Sequence, residues 1–215
     1  MLIIKVGYIV PFMILKALPD YESYFCNLVG TDLYSLLPKK YSKKHYKIGD
    51  TDWAAIFEIK PPRIIISQKS PQYIRKTIES RFFHILAHNH LRIKRVASVG
   101  SANFFKVAVQ CNSNDGVLNG KDIYELFKPY QDTMQRYIES KVYFVKYSPV
   151  RKEFAVNALV PAPIDRVKRV IFYEDMNTVE VIVDNQDVGI FLGKHKTNIL
   201  SAKKLTGINI EIIGR

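Results

Sequence analysis

The hydrophobic period of this chain changes near Pro71, and that change restricts the folds open to it more than any other feature. Before Pro71, apolar and β-branched residues come in short runs, at 2–10, 12–18, 25–29, 33–37, 53–59 and 64–66. Turn formers such as Pro19-Asp20, Gly30-Thr31-Asp32 and Gly49-Asp50 separate them. Runs this short predict strands, and five strands in about 65 residues suit a small closed barrel of the OB type. After Pro71, Ile74, Ile78, Phe82 and Ile85 take the i, i+4, i+8, i+11 spacing of one helical face. That spacing predicts a helix of about 17 residues.

Strands at 91–99 and 104–110, joined by a turn at Gly100-Ser101, follow the helix. Two helices over 121–140, broken at Pro129, then lead to a strand at 142–147. The order is α-β-β-α-α-β. Beyond Ser148-Pro149 it returns in shorter form: a helix near 164–167, strands at 169–173 and 179–183, helices at 187–192 and 197–205, and a strand at 208–213. An arrangement used twice is an internal repeat even where the copies share little sequence. The chain therefore reads as a multi-domain α+β protein: a β-barrel at 1–68 and two α-β-β-α-α-β domains at 69–148 and 149–215.

A composition 47% hydrophobic and 12% aromatic supplies ample core. Thirty-two Lys and Arg against 20 Asp and Glu leave +12, which favours an anionic partner, nucleic acid or an acidic membrane surface. Residues 69–148 hold most of the excess, 13 cations against 6 anions. Cys26 and Cys111 are too few and too far apart for a disulfide scaffold or a thiolate zinc site, and fit a reducing compartment. The first 18 residues could pass for a signal peptide, but Lys5 and Pro11 interrupt the apolar run and no small-residue cleavage site follows, so they read as two strands. No other run approaches the roughly 18–20 apolar residues that span a bilayer.

Several stretches resemble a known family. ALVPAPIDRV, VEVIVDNQDVGIFLGK and TNILSAKKLTGINIEII, within 158–212, are similar almost motif by motif to the second KH domain of NusA, the bacterial transcription termination and antitermination factors. IIISQKSP at 64–71 resembles the last barrel strand and the entry to the first KH helix, and KVAV at 106–109 that domain's second strand. GTDLYSLLPKK at 30–40 and YKIGD at 46–50 resemble motifs of the barrel itself. The resemblance covers essentially the whole chain. It implies an S1-type OB barrel followed by two tandem type II KH domains, without the helical polymerase-docking domain that normally precedes them in the family.

The resemblance also implies where RNA binds. A KH domain clamps about four nucleotides because its Gly-x-x-Gly loop lets the RNA backbone pass against the main chain at a helix N-terminus. The second domain reads Gly193, Lys194, His195, Lys196 there, keeping one glycine of two; the first reads Lys128, Pro129, Tyr130, Gln131, with none. Lys196 is expected to weaken the clamp, since a Cβ fills the phosphate's place or forbids the backbone angles. Lys194 and Lys196, with Lys203 and Lys204, are expected to replace close fit by charge. Arg92, Lys94 and Arg95 offer a basic face on the first KH domain. On the barrel, Tyr8 and Tyr24 are the stacking candidates, with Lys43 and Lys44 in a lysine-rich loop beside them.

The spacing of His84 and His88 suits a metal, but no glutamate accompanies them, and no P-loop, nucleophile elbow or Cys-x-x-Cys pair occurs. The expectation is a non-enzymatic protein without cofactor or metal. Its partners would be single-stranded RNA, RNA polymerase and associated elongation factors, with no membrane, and it would be a monomer when free. Its place would be the cytoplasm of a bacterial or phage-infected cell, or an organellar stroma or matrix. Two alternatives stand beside this: an S1-KH-KH scaffold docking on polymerase with little RNA affinity, and RNA binding outside transcription, as in exosome cap proteins and polynucleotide phosphorylase. The 158–212 motifs favour the NusA type over the latter.

Overall fold

In the computed structural model, which describes residues 4–99, 104–111 and 120–215 apart from the side chains of 120–122, the early apolar runs close into a barrel. Its strands are β1 (Ile9–Leu18), β2 (Ser23–Leu28), β3 (Tyr34–Pro38), β4 (Thr51–Lys60) and β5 (Arg63–Ser67), in the order β1-β2-β3-β5-β4. Every pairing is antiparallel except β3 with β5, which meet in parallel at Leu36 and Ile65. Alternate residues point inward, so Val10, Phe12, Ile14, Tyr24, Cys26, Leu28, Ala54, Ile56, Ile64 and Ile66 fill the interior. The buried Cys26 thiol is pushed up to about 12 by desolvation.

One expectation fails at the start. Instead of two strands split at Pro11, a single strand runs from Ile9 to Leu18. Pro11 is tolerated because its carbonyl still accepts from Val29 N at 3.0 Å, while only its missing N–H is lost to the ladder. The strand irregularity falls later, between Ile14 and Lys16. Residues 1–3 lie outside the described residues. After β5, Ser70 caps helix α1 (Pro71–Arg81): its Oγ accepts from Tyr73 N at 3.2 Å, and Pro71 takes the first helical position. The expected 17-residue helix stops there, because Phe82 leaves the helical region (φ −118°, ψ 23°) and a separate short helix, α2 (Phe83–His88), follows.

The chain divides into two compact units, Met1–Arg81 and Phe82–Arg215. The second unit contains two three-stranded sheets of the same design. β6 (Leu91–Ala97), β7 (Phe104–Cys111) and β8 (Lys141–Lys146) lie in that order, the first pair antiparallel and the second parallel. Helix α3 (Gly120–Phe127), a 3-10 turn at Lys128–Tyr130 and α4 (Gln131–Ile138) connect β7 to β8. Phe127 and Phe144 stack at 3.6 Å in the core between them. The turn expected at Gly100-Ser101 lies outside the described residues.

The second sheet repeats the scheme with β9 (Arg169–Tyr173), β10 (Thr178–Val183) and β11 (Asn209–Gly214), β10 central, antiparallel to β9 and parallel to β11. Its opening helix is not where the sequence predicts. Residues 164–166 form a single 3-10 turn, and the helix is α5 (Arg151–Asn157), which buries Phe154 and Ala155. α6 (Val188–Leu192) and α7 (Thr197–Thr206) complete the module, and α7 buries Ile199, Ala202 and Leu205. Ala97, Ala108 and Val145 of the first sheet share one apolar cluster with Phe154, Ala158 and Leu205 of the second module. The outer face of the first sheet is therefore closed by helices of the second. Among the described residues no helix is long and apolar enough to cross a membrane.

Candidate nucleic-acid interface

Between α6 and α7 the backbone turns left-handed three times. Gly193 has φ 71°, His195 φ 52° and Lys196 φ 60°, before Thr197 returns to the right-handed helical region. Gly193 N donates to Gly189 O and Lys196 N to Gly193 O, both at 2.9 Å, and Thr197 Oγ1 donates to Lys194 O at 2.7 Å. No other residue fits at 193: a Cβ there would lie 2.7 Å from Asn198 Cβ. Asn198 holds the loop from beneath, its Nδ2 donating to Leu159 O and Phe191 O at 2.9 Å each.

The side chains of Lys194, His195 and Lys196 are exposed. No side chain caps α7; Lys196 N and Thr197 N close the turn onto Gly193 O and Lys194 O, and the helix dipole there favours an anion. Lys196, which the sequence reading expects to weaken the clamp, adopts the left-handed angles itself, so the backbone turn forms without a second glycine. Each non-glycine residue in this region costs about 1–2 kcal/mol, and the loop carries two in succession.

Other expected contacts are engaged elsewhere. Lys203 Nζ donates to Asn209 Oδ1 and Lys204 Nζ to Ser98 O, both at 2.7 Å. Both lie at the far end of α7, roughly 10 Å along the axis from the loop at 1.5 Å per residue, and cannot supplement its charge at close range. Arg95 Nη1 donates to Thr206 O at 2.7 Å and Leu205 O at 3.3 Å, while the residue itself stays exposed. Arg92 and Lys94 remain exposed on β6, Lys94 with its Nζ 5.4 Å from the Tyr147 ring centroid.

On the barrel, Tyr24 is only 4% exposed. It packs edge-on against Tyr46, and its hydroxyl accepts from Tyr46 N, so it is core and no base can reach its face. Lys43 is tied to Asp52 at 2.9 Å with both side chains largely covered. Burial opposes the Asp52 carboxylate, but hydrogen bonds from Tyr46 and Lys43 outweigh it and hold its pKa below the ordinary value. Burial likewise opposes the Lys43 ammonium, and the Asp52 partner raises its pKa regardless. Lys43 is therefore a structural ion, whereas Lys44 and Tyr8 stay exposed. Phe25 and Tyr34, which the sequence reading weighs among the strand aromatics but ranks behind Tyr8 and Tyr24, stack on the outside of β2 and β3 with centroids 5.3 Å apart and planes 12° from parallel. Strand alternation could have found them: Tyr24 inside puts Phe25 outside.

The first module's equivalent segment differs. Lys128–Tyr130 is a right-handed 3-10 turn running directly into α4, with no positive φ, and Lys128 pairs with Glu125 at 3.2 Å. His84 and His88 are exposed, and His84 meets Tyr130 edge-on at 6.3 Å. Among the described residues no three His, Cys, Asp or Glu side chains come together as a metal site would need.

Comparison with known proteins bears on the same region. Residues 151–215 match the model of the NusA-like second KH domain. The chain is 27% identical over 175 residues to the transcription termination/antitermination protein NusA of Rickettsia prowazekii, covering 79% of this chain and 34% of that protein. To the Rickettsia conorii protein of the same name it is 29% identical over 157 residues, 73% of this chain and 31% of that one. To that of Borreliella burgdorferi it is 23% identical over 194 residues, 87% and 39% respectively. The chain thus spans about a third of the length of these relatives. The crystal structure of APE1850 aligns with a TM-score of 0.45 at 16% identity, over 66% of this chain and 97% of that one. Residues 151–215 thus carry a domain similar to the second KH domain of NusA, and the rest of the chain is similar to NusA proteins at low identity.

Proposed function

We propose that the chain binds nascent single-stranded RNA beside RNA polymerase and thereby modulates pausing, termination or antitermination. The observation that carries this reading is the loop at 193–196, where His195 and Lys196 hold left-handed backbone angles in front of an uncapped helix N-terminus. Consecutive strained residues persist where a site needs their shape, and here they stand with two exposed lysines at the N-terminal end of α7. The contact set is Gly193, Lys194, His195 and Lys196, with Arg92 and Lys94 on the first sheet and Tyr8, Lys44, Phe25 and Tyr34 on the barrel. An OB barrel of this strand order offers its second and third strands to oligonucleotides, and bases stack on exposed rings.

The domain plan that goes with this function is an S1-type barrel at 1–68 and tandem KH domains at 69–148 and 149–215. The repeated sheet order and connection pattern of the two modules in the second unit supports it. Polymerase and its elongation factors as partners, a monomeric free state and a cytoplasmic setting belong to the same reading. The scaffold alternative draws support from the committed state of Arg95, Lys43, Lys203 and Lys204. A filter-binding titration with single-stranded RNA at two salt concentrations separates the two. Micromolar or tighter binding that falls steeply with salt upholds the RNA clamp; no binding at low salt leaves the scaffold.

A further inference from the structure

Helix α7 has the candidate loop at its N-terminal end, and its C-terminal end meets the first module. A helix leaves its last carbonyls without intrahelical partners, and cations are favoured there. Gly207, left-handed at φ 75°, closes α7 by donating from its N to Lys203 O at 2.8 Å. The next carbonyls, of Leu205 and Thr206, are taken by Arg95 from β6, and Lys204 reaches back to Ser98 O just beyond that strand.

Helix α5 is finished in the same way. Ala158 N, Leu159 N and Val160 N close onto Phe154 O, Val156 O and Asn157 O. The carbonyl left over, Ala158 O, receives the ammonium or amine nitrogen of Lys106. Lys106 stands on β7, is fully buried, and has no acidic partner within ion-pair distance among the described residues. A lysine placed in an apolar interior with only a helix-end carbonyl for company is expensive to keep, and a methionine would fill the same space. Leu159 O, one residue on, accepts from Asn198 beneath the loop.

We infer that Arg95 and Lys106 of the first module act as caps on α7 and α5 of the second, so that through these two residues the first sheet supports the loop at 193–196. Both are positioning residues. The affinity readout rests on the RNA-binding reading above; the exchange readout does not.

The test uses the full chain with Arg95→Met and Lys106→Met beside Lys196→Glu. Amide hydrogen exchange is measured along α7 and the loop, and the affinity for single-stranded RNA across a salt series. The caps predict faster exchange at 193–206 in Arg95→Met, with a three- to tenfold loss of affinity and an unchanged salt slope. Lys196→Glu, which touches phosphate, should lower that slope by about one or more. A reduced slope in Arg95→Met with unchanged exchange would make Arg95 a phosphate contact and overturn the inference; so would no change in either readout. Should Arg95→Met fail to fold, Arg95→Lys keeps the charge on a shorter side chain without the planar guanidinium, and is read by the same outcomes. If the wild-type chain binds no RNA, the function proposed above falls while exchange still decides the caps.

Discussion

Residues 193–196 and 128–131 occupy the same place in two modules of one design, yet their backbones do opposite things. At 193 a glycine that tolerates no Cβ starts a left-handed turn, two exposed basic residues continue it, and α7 begins without a side-chain cap. At 128 the chain stays right-handed, Pro129 removes a donor, and the 3-10 turn passes into α4 without opening. The comparison teaches that a lysine at 196 holds a left-handed angle in the turn that Gly193 opens, whereas 128–131, without a glycine, makes no such turn. It also teaches that a basic residue's sequence neighbourhood says little about its availability, since Arg95, Lys203 and Lys204 spend their hydrogen bonds inside the second unit.

The largest effect expected from breaking this contrast is at Gly193. Gly193→Val adds a branched side chain at positive φ and drives it into Asn198, so the second unit should lose about 2–4 kcal/mol in chemical denaturation. Pro129→Ala, in the segment that makes no such turn, should change stability by less than about 1 kcal/mol. Next comes charge. Reversing Lys194 and Lys196 to Glu together should weaken single-stranded RNA binding at least about tenfold at low salt. Lys128→Glu, already paired with Glu125 in the wild type, should leave the affinity within about twofold.

A smaller, pH-dependent effect reports on the sheet that supports the left-handed loop. Desolvation holds the Lys106 pKa well below its ordinary value. An unfolded lysine keeps its proton to about pH 10.4; the folded chain releases it earlier, so unfolding takes up a proton and stability rises with pH. Between the folded pKa and about pH 10, the second unit should gain up to about 1 kcal/mol per pH unit, and Lys106→Met should abolish that slope. Tyr143, directly opposite on β8, has its own pKa raised by burial and so keeps its proton through this window.

Much of this architecture was legible from residue order. The barrel strands followed from apolar runs bounded by turn formers, and β9 to β11 fell within a residue or so of their predicted positions, because short runs rich in Val and Ile mark them. Three features were not. α5 is only seven residues long and buries Phe154 and Ala155 alone, too little period to separate it from a loop. The break at Phe82 left the helical spacing of apolar residues intact on both sides, so periodicity could not reveal it. The inward turn of Tyr24 depended on which face of β2 the barrel closed over, a tertiary choice that alternation narrows to two but does not make.

Of the site, the loop's position could be read from its motif, and its backbone angles could not, since lysine and histidine rarely adopt them. The caps were invisible for a different reason: Arg95 lies 111 residues from Thr206 and Lys106 lies 52 from Ala158, and no local pattern joins them.

The most direct test is to titrate short single-stranded RNA into the isotopically labelled full chain and follow backbone amide shifts at both loops. The account predicts salt-sensitive shifts concentrated at 193–198, with the amides of 128 and 130–131 left near their free positions. Shifts confined to the first module's segment, or none at either loop at low salt, would contradict it.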